Sequence, residues 1–361
     1  MDISLCMIVK NEAIHIRRVL SCVKKCKSIK EIHIIDTGST DNTLQIIGDW
    51  NIQNMGKCAI ASLYKFDWIN DFSVARNFAF SKGTQEWLMW LDADDILSDE
   101  TIEMLDASIV PDNIKVLMLK YTMNLSFDYY RERVVRRSVG LQWVEPVHEC
   151  LAYGALAAQD IFTTNIAIIH APIEKPGKGG RNIKIFEAQK ELSPRGMYYY
   201  ARELAEVSRY KEAIEILKKF LATGKGWVED NIGACYMLSR CYHEIGDKSA
   251  QIQAVLQSFG FDIPRPEGAC IIGDVFFSNE EYYLAAKWYK LATYVEYPLN
   301  WGFTNHSFQN VYAFLQLCVC HDRLGDQGSA CEYNEKAAFI DPKNESVLYN
   351  QKYFKEIGLL A

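Results

Sequence analysis

Within the first 92 residues, four short apolar runs alternate with segments whose apolar residues recur at helical spacing, and this alternation leaves few folds open. ISLCMIV (3–9) is almost wholly apolar, as a strand buried on both faces must be. Residues 13–25 place Ile14, Ile16, Val19, Leu20 and Val23 on one helical face. EIHIID (31–36) reads as the second strand, and the polar turn TGSTDNT follows it, with Asp41 or Thr40 capping a helix to about Ile52. AIASLYKF (59–66) is a third strand, and DFSVARNFAFSKG a helix ending at Gly83. EWLMWLD (86–92) is a fourth strand that runs straight into Asp92, Asp94 and Asp95. Such alternation predicts a parallel sheet with helices on its faces. Ligands bind such sheets at the carboxyl ends of the strands. Asp36 and Asp92 close two of these strands, so the acids are expected to converge on one rim.

The pattern then changes twice. A short helix at about 99–108 leads into KVLMLKYTMNLSF, RERVVRRS, LQWVEPVHECL and TTNIAIIHAP, which read as mixed sheet and loop. KPGKGGRN (175–182) is rich in glycine and basic residues. Beyond about residue 185 every segment is helical. Ala213, Ala250, Ala285 and Ala330 recur there near the roughly 34-residue period of tetratricopeptide repeats. The final unit adds Ala337 and Pro342, and the one long step implies an insertion of roughly ten residues, placed at EYPLNWGFTNHS (296–307). The domains are therefore expected at 1–190 and 191–361. Stacked helix pairs form a concave face suited to a peptide. Tyr198, Tyr199, Trp227, Tyr236, Trp288 and Trp301 are candidates to line it, although most aromatics at helical spacing belong to a core.

Composition narrows the function. The net charge of −7 argues against nucleic acid as a partner. No run approaches the roughly 18 apolar residues of a spanning helix, and the N-terminus lacks the basic start of a signal peptide. The 11 cysteines show no disulfide or zinc spacing, which favours reduced core thiols and a cytoplasmic location. Asp92 and Asp94, directly after an apolar strand, form a pair able to hold a hard divalent cation with open positions for phosphate oxygens.

VKNE (9–12), IIDTGSTDNT (34–43), DFSVARN (71–77) and WLDADD (90–95), in this order and spacing, resemble glycosyltransferase family 2, whose domain has the GT-A fold. WVEPVHE (143–149) is similar to a segment of family members acting on peptides and on lipopolysaccharide cores. The layout of a transferase domain followed by repeats loosely resembles the bacteriocin peptide S-glycosyltransferases. The resemblance implies an α/β GT-A domain followed by an all-α repeat domain. It further implies a nucleotide-sugar donor, UDP-linked, with Mn²⁺ or Mg²⁺. Asn11, Glu12 and Asp36 would contact the nucleoside, and Arg76 would face the nucleotide. Asp92 would face ribose and metal, Asp94 would ligate the metal, and His170 would be a further ligand.

Family 2 enzymes invert the anomeric centre and need a base opposite the leaving diphosphate. Glu149 is the expected base, with His148 the alternative, since its unperturbed pKa suits neutral pH. An ordinary ion pair of Glu149 with Arg131, Arg133, Arg136 or Arg137 is the competing reading. Lys175, Lys178 and Arg181 either close over the phosphates or belong to an interdomain linker. The acceptor expected is a peptide or protein. A surface-polysaccharide or lipid-linked glycan is the alternative, and a non-catalytic scaffold, or a homo-oligomer through the repeats, the remaining options.

Overall fold

A computed structural model describes all residues except 125, 126, 155, 174–179, 297–303 and 361. Lys175, Lys178 and Trp301 thus lie outside the described residues. The chain divides into two compact units, Met1–Lys190 and Glu191–Ala361. No helix among the described residues is long and apolar enough to cross a membrane.

The first unit begins β1 (Ile3–Val9), α1 (Ile16–Val23), β2 (Ile29–Asp36), α2 (Thr43–Asn54), β3 (Ala61–Lys65), α3 (Phe72–Phe80) and β4 (Trp87–Trp90). It continues through β5 (Asp95–Ile96), α4 (Asp99–Ala107), β6 (Val116–Asn124), β7 (Phe127–Arg136), β8 (Gln142–Val144), β9 (Cys150–Ala152), β10 (Ile161–His170) and α5 (Arg181–Glu187). One sheet runs β3-β2-β1-β4-β7-β6-β10-β5. The first four strands are mutually parallel, β7 is antiparallel to β4 and to β6, and β10 is parallel to β6. The carboxyl ends of β1, β2, β4 and β10 therefore share a rim. β8 and β9 form a separate hairpin, Trp143 opposite Leu151.

The core follows from the strand pattern. Ile3, Leu5, Met7 and Val9 alternate along one face of β1 and pack with Ile16, Val19 and Leu20 of α1 and Ile47 and Trp50 of α2. Residues two apart on a strand share a face, so one run of sequence supplies one side of the core. Helix α3 opens on Asp71, whose carboxylate accepts the Val74 N–H at 3.1 Å. That satisfies one of the helix's orphan donors.

At the opposite rim Glu31 ties three strands together. It accepts hydrogen bonds from Ser4 Oγ on β1 (2.6 Å), from the Thr84 N–H (3.0 Å) and hydroxyl, and from Gln85 Nε2 (2.8 Å) before β4. Burial opposes its ionisation, but these donors, Ser4 and Thr84 foremost, hold its pKa well below the usual carboxylate range. A lowered folded-state pKa stabilises the fold above the unfolded value of about 4.3, and the stabilisation fades as pH falls through and below it. Glu31→Gln is expected to lower stability to urea by about 2 kcal/mol at pH 7, with the gap from wild type closing towards pH 3. An unchanged gap at pH 3 would show that charge is not the cause.

The second unit is helical: α6 (Pro194–Glu206), α7 (Tyr210–Ala222), α8 (Val228–Glu244), α9 (Lys248–Ser258), α10 (Pro266–Ser278), α11 (Tyr282–Tyr294), α12 (Val311–Arg323), α13 (Gln327–Ile340) and α14 (Glu345–Glu356). Ala213, Ala285 and Ala330 are fully buried. Asp247 and Asp326, after the glycines that follow α8 and α12, cap the next helix through the N–H groups of Ala250 (2.9 Å) and Ser329 (3.0 Å). A Cβ at Gly233 would lie 2.4 Å from the Tyr198 hydroxyl, and one at Gly268 would lie 2.9 Å from that of Tyr236. Helices α6 and α8 thus each seat a tyrosine on a glycine of the helix two further along. Of the aromatic candidates, Tyr198 and Tyr199 are core residues, Tyr236 and Trp288 are half-buried and Trp227 is exposed.

Candidate active site

The rim is organised around one guanidinium. Arg76, on α3, is only 7% exposed. Its Nε donates to Glu149 Oε1 at 2.5 Å and its Nη2 to Asp92 Oδ1 at 2.8 Å. The plane lies over two indoles, 4.7 Å from the Trp90 ring and 5.0 Å from Trp143. Cation–π contact and two charge-assisted bonds act together on this group. Two carboxylates raise the Arg76 pKa despite burial. Burial alone would raise the pKa of Asp92, but Arg76 first, then Arg133 and Arg131, hold it at about 2. Nη1 of Arg76 has no hydrogen-bond partner among the described residues.

This pairing corrects one reading of Glu149. Its partner is none of the arginines of β7 and the turn after it. Arg131 pairs with Glu132, Arg133 with Asp95 and Arg136 with Glu86, while Arg137 donates to the Gln85 carbonyl. Nor is that arginine run a solvated strand face: Arg133 is 1% exposed, 3.7 Å from the Trp90 ring and 4.3 Å from that of Tyr121. Glu149 ends the hairpin loop between β8 and β9. Glu145 (φ 74°) and His148 (φ 54°) in that loop adopt the left-handed conformation, uncommon outside glycine and a mark of a constrained segment. Glu149 Oε2 has no partner among the described residues.

A second cluster adjoins Asp92. Strand β5 pairs antiparallel with β10 and sets Asp95 opposite His170. Asp94, Asp95 and His170 offer ligand atoms within 4.8 Å of one another. Asp95 is fully buried and saturated: Oδ1 accepts from Tyr121 Oη (2.7 Å), Oδ2 from Arg133 Nη1 (2.9 Å) and the Asp92 N–H (2.9 Å). The Tyr121 proton goes to Asp95, so the 2.7 Å contact with His170 Nδ1 makes Nδ1–H the donor. The neighbouring carboxylates, Asp95 first, raise the His170 pKa. Burial and the nearby charge of Asp92 raise that of Asp94, with His170 opposing. A carboxylate crowded by like charge beside an imidazole suits a hard divalent cation, and the donors present therefore fit one at Asp94 and His170. Asp95 was not singled out as a ligand from sequence, and its role here is to orient its neighbours.

The remaining candidates sit on the loops after β1 and β2. The Asn11 N–H donates to Ser39 Oγ (3.0 Å), and Asn11 Oδ1 accepts the Thr40 N–H (2.7 Å). Asp36 turns its carboxylate to the N–H groups of Gly38 (3.2 Å) and Ser39 (3.0 Å), capping its own turn. Glu12 Oε2 lies 2.8 Å from Nδ1 of the buried His15, whose Nε2 accepts the Ile173 N–H at 2.9 Å. His15, which sequence reasoning passed over, thereby anchors the segment that follows His170. Arg181 lies on α5 with its guanidinium 4.8 Å from the Phe72 ring.

Residues 4–138 match the family model described as glycosyl transferase family 2. The match lies wholly within the first unit, Met1–Lys190. The SPbeta prophage-derived glycosyltransferase SunS of Bacillus subtilis (strain 168) is 29% identical over 230 residues, 59% of this chain and 51% of that protein. A TPR repeat-containing protein of Synechococcus elongatus is 34% identical over 161 residues, 44% of this chain and 37% of that protein. The chain spans about half the length, or less, of these relatives. The solved structure of MamA is 21% identical, with a TM-score of 0.34, over 44% of this chain and 85% of that one.

Arg76→Met would leave the Asp92 and Glu149 carboxylates without the cation that bridges them. Removing one partner of a buried pair costs about 3–5 kcal/mol. A stability loss of that size is expected in urea unfolding, and a loss under about 1 kcal/mol would mean that the pair is effectively solvated.

Proposed function

We propose that the chain is a metal-dependent, inverting glycosyltransferase that moves a sugar from a UDP-linked donor to a peptide or protein acceptor. The observation that carries this reading is the Arg76 bridge: one cation ties Glu149 on the hairpin to Asp92 at the end of β4. Inversion requires a base on one side of the anomeric carbon and stabilisation of the leaving diphosphate on the other. Glu149, with Oε2 unengaged, takes the acceptor proton; His148 beside it is the alternative. Asp94 and His170 hold the divalent ion, which supplies Lewis-acid stabilisation of the diphosphate when bound.

Asp92 and the Nη1 of Arg76 face the ribose and phosphates. Asn11, Glu12 and Asp36 form the nucleoside side, where their loops already cross-brace each other. Arg181, against Phe72, is near enough in sequence to the basic loop to contribute to the phosphate side. The family match supports glycosyl transfer, and the similarity to SunS and to a TPR protein favours a macromolecular acceptor.

A panel of nucleotide-sugars, assayed for hydrolysis with Mn²⁺, tests the activity without an acceptor. Asp94→Asn is expected to abolish turnover and weaken Mn²⁺ binding in calorimetry, and EDTA to abolish wild-type activity reversibly. Full activity in EDTA would refute the metal role. Glu149→Gln is expected to slow turnover roughly 10²–10⁴-fold with donor affinity little changed. A rate near wild type would move the base to His148.

A further inference from the structure

Helix α3 meets the β8–β9 hairpin through four residues. The Phe72 N–H, an orphan donor of the first helical turn, donates to the Pro146 carbonyl at 2.9 Å. Arg76 reaches Glu149. Asn77, next to Arg76, makes a two-point contact: its Oδ1 accepts the Trp143 N–H at 2.8 Å and its Nδ2 donates to the Trp143 carbonyl at 2.9 Å. A neighbouring strand would offer β8 the same donor–acceptor pair. Phe80, one turn further on, packs edge-on against the Trp143 ring with centroids 5.5 Å apart. Positions 72, 76 and 80 are spaced four apart, so one helical face meets hairpin residues 143, 146 and 149.

We infer that Asn77 is a positioning residue for Glu149, its amide standing in for a third strand that sets the hairpin against the rim. This rests on Glu149 being the base. The contact is chemically selective. Aspartate of the same shape can only accept, and leaves the Trp143 carbonyl facing a carboxylate. Alanine removes both bonds. The hairpin belongs to no larger sheet among the described residues, so its edge has no alternative strand to hold it. A displacement of the base of about 1 Å is enough to cost up to roughly 10²-fold in rate.

The test uses the full chain with Asn77→Ala and Asn77→Asp, the second retaining the side-chain shape should the first fold poorly. Hydrogen exchange over 142–152 should accelerate in both, with exchange in β1, β2 and β4 unchanged. Unchanged exchange over 142–152 overturns the clamp. Rates are read with the fastest-hydrolysed of UDP-glucose, UDP-N-acetylglucosamine, UDP-galactose and UDP-N-acetylgalactosamine. In both variants kcat should fall roughly 10- to 100-fold with donor KM within about two-fold. In the Glu149→Gln background the Asn77 substitutions should cost no further rate, because there is no base left to misplace. An equal loss in both backgrounds overturns the positioning role and makes Asn77 a fold residue. If Glu149→Gln alone runs near the wild-type rate, the assignment of the base fails instead, and the exchange result still judges the clamp.

Discussion

A buried guanidinium between two carboxylates is the constraint on which the rim depends. Arg76 cannot lose its proton, and it cannot be buried without anions. Asp92 ends a strand of the main sheet and Glu149 ends a loop of a separate hairpin, so satisfying one cation requires both to be in place. The Trp90 and Trp143 rings meet edge to face at 5.2 Å, and the guanidinium lies over both. Low polarity strengthens both ion pairs and makes any half-formed arrangement costly. Position and energy therefore select the same geometry.

The strand β5 shows how small an element can fix a site. Two residues long, it pairs with the end of β10, and the Ala171 N–H adds a 3.0 Å bond to the Asp94 carbonyl. His170 thereby reaches Asp94 and Asp95 from about 75 residues further along the chain. Tyr121, on the intervening β6, fixes which imidazole nitrogen carries the proton. No local pattern encodes this, since the information lies in the register of paired strands that are far apart in sequence.

That contrast explains what was legible in the sequence. β1, β2, β4 and α3 could be read because apolar periodicity is local, and the motifs at 34–43, 71–77 and 90–95 could be read because each sits where such a strand or helix ends. The partners could not. Arg133 sits in a run of arginines that looks solvated, yet it is sealed against Trp90 and Asp95. Asn77 looks like an ordinary helix residue until Trp143 is brought beside it. Tyr198 and Tyr236 sit at helical spacing, and only the glycines of α8 and α10 show where each ring is seated.

The charges of the rim explain why the acidic residues are not equivalent. Asp92 and Glu149 share Arg76, Asp95 has Arg133, and Glu132 has Arg131. Asp94 is different. Among the described residues no arginine or lysine lies within ion-pair distance of it, and its nearest cationic group is His170 at 3.8 Å. Burial first, then the negative charge of Asp92 and Asp95, pushes the Asp94 pKa up, while Arg76 pulls that of Asp92 down. The same WLDADD phrase thus yields two neutralised carboxylates and one that is not. The uncompensated charge falls at the mouth of the strand rim, beside an imidazole whose tautomer is set by Tyr121. A divalent cation is the kind of partner that would complete this balance without a further arginine at the rim.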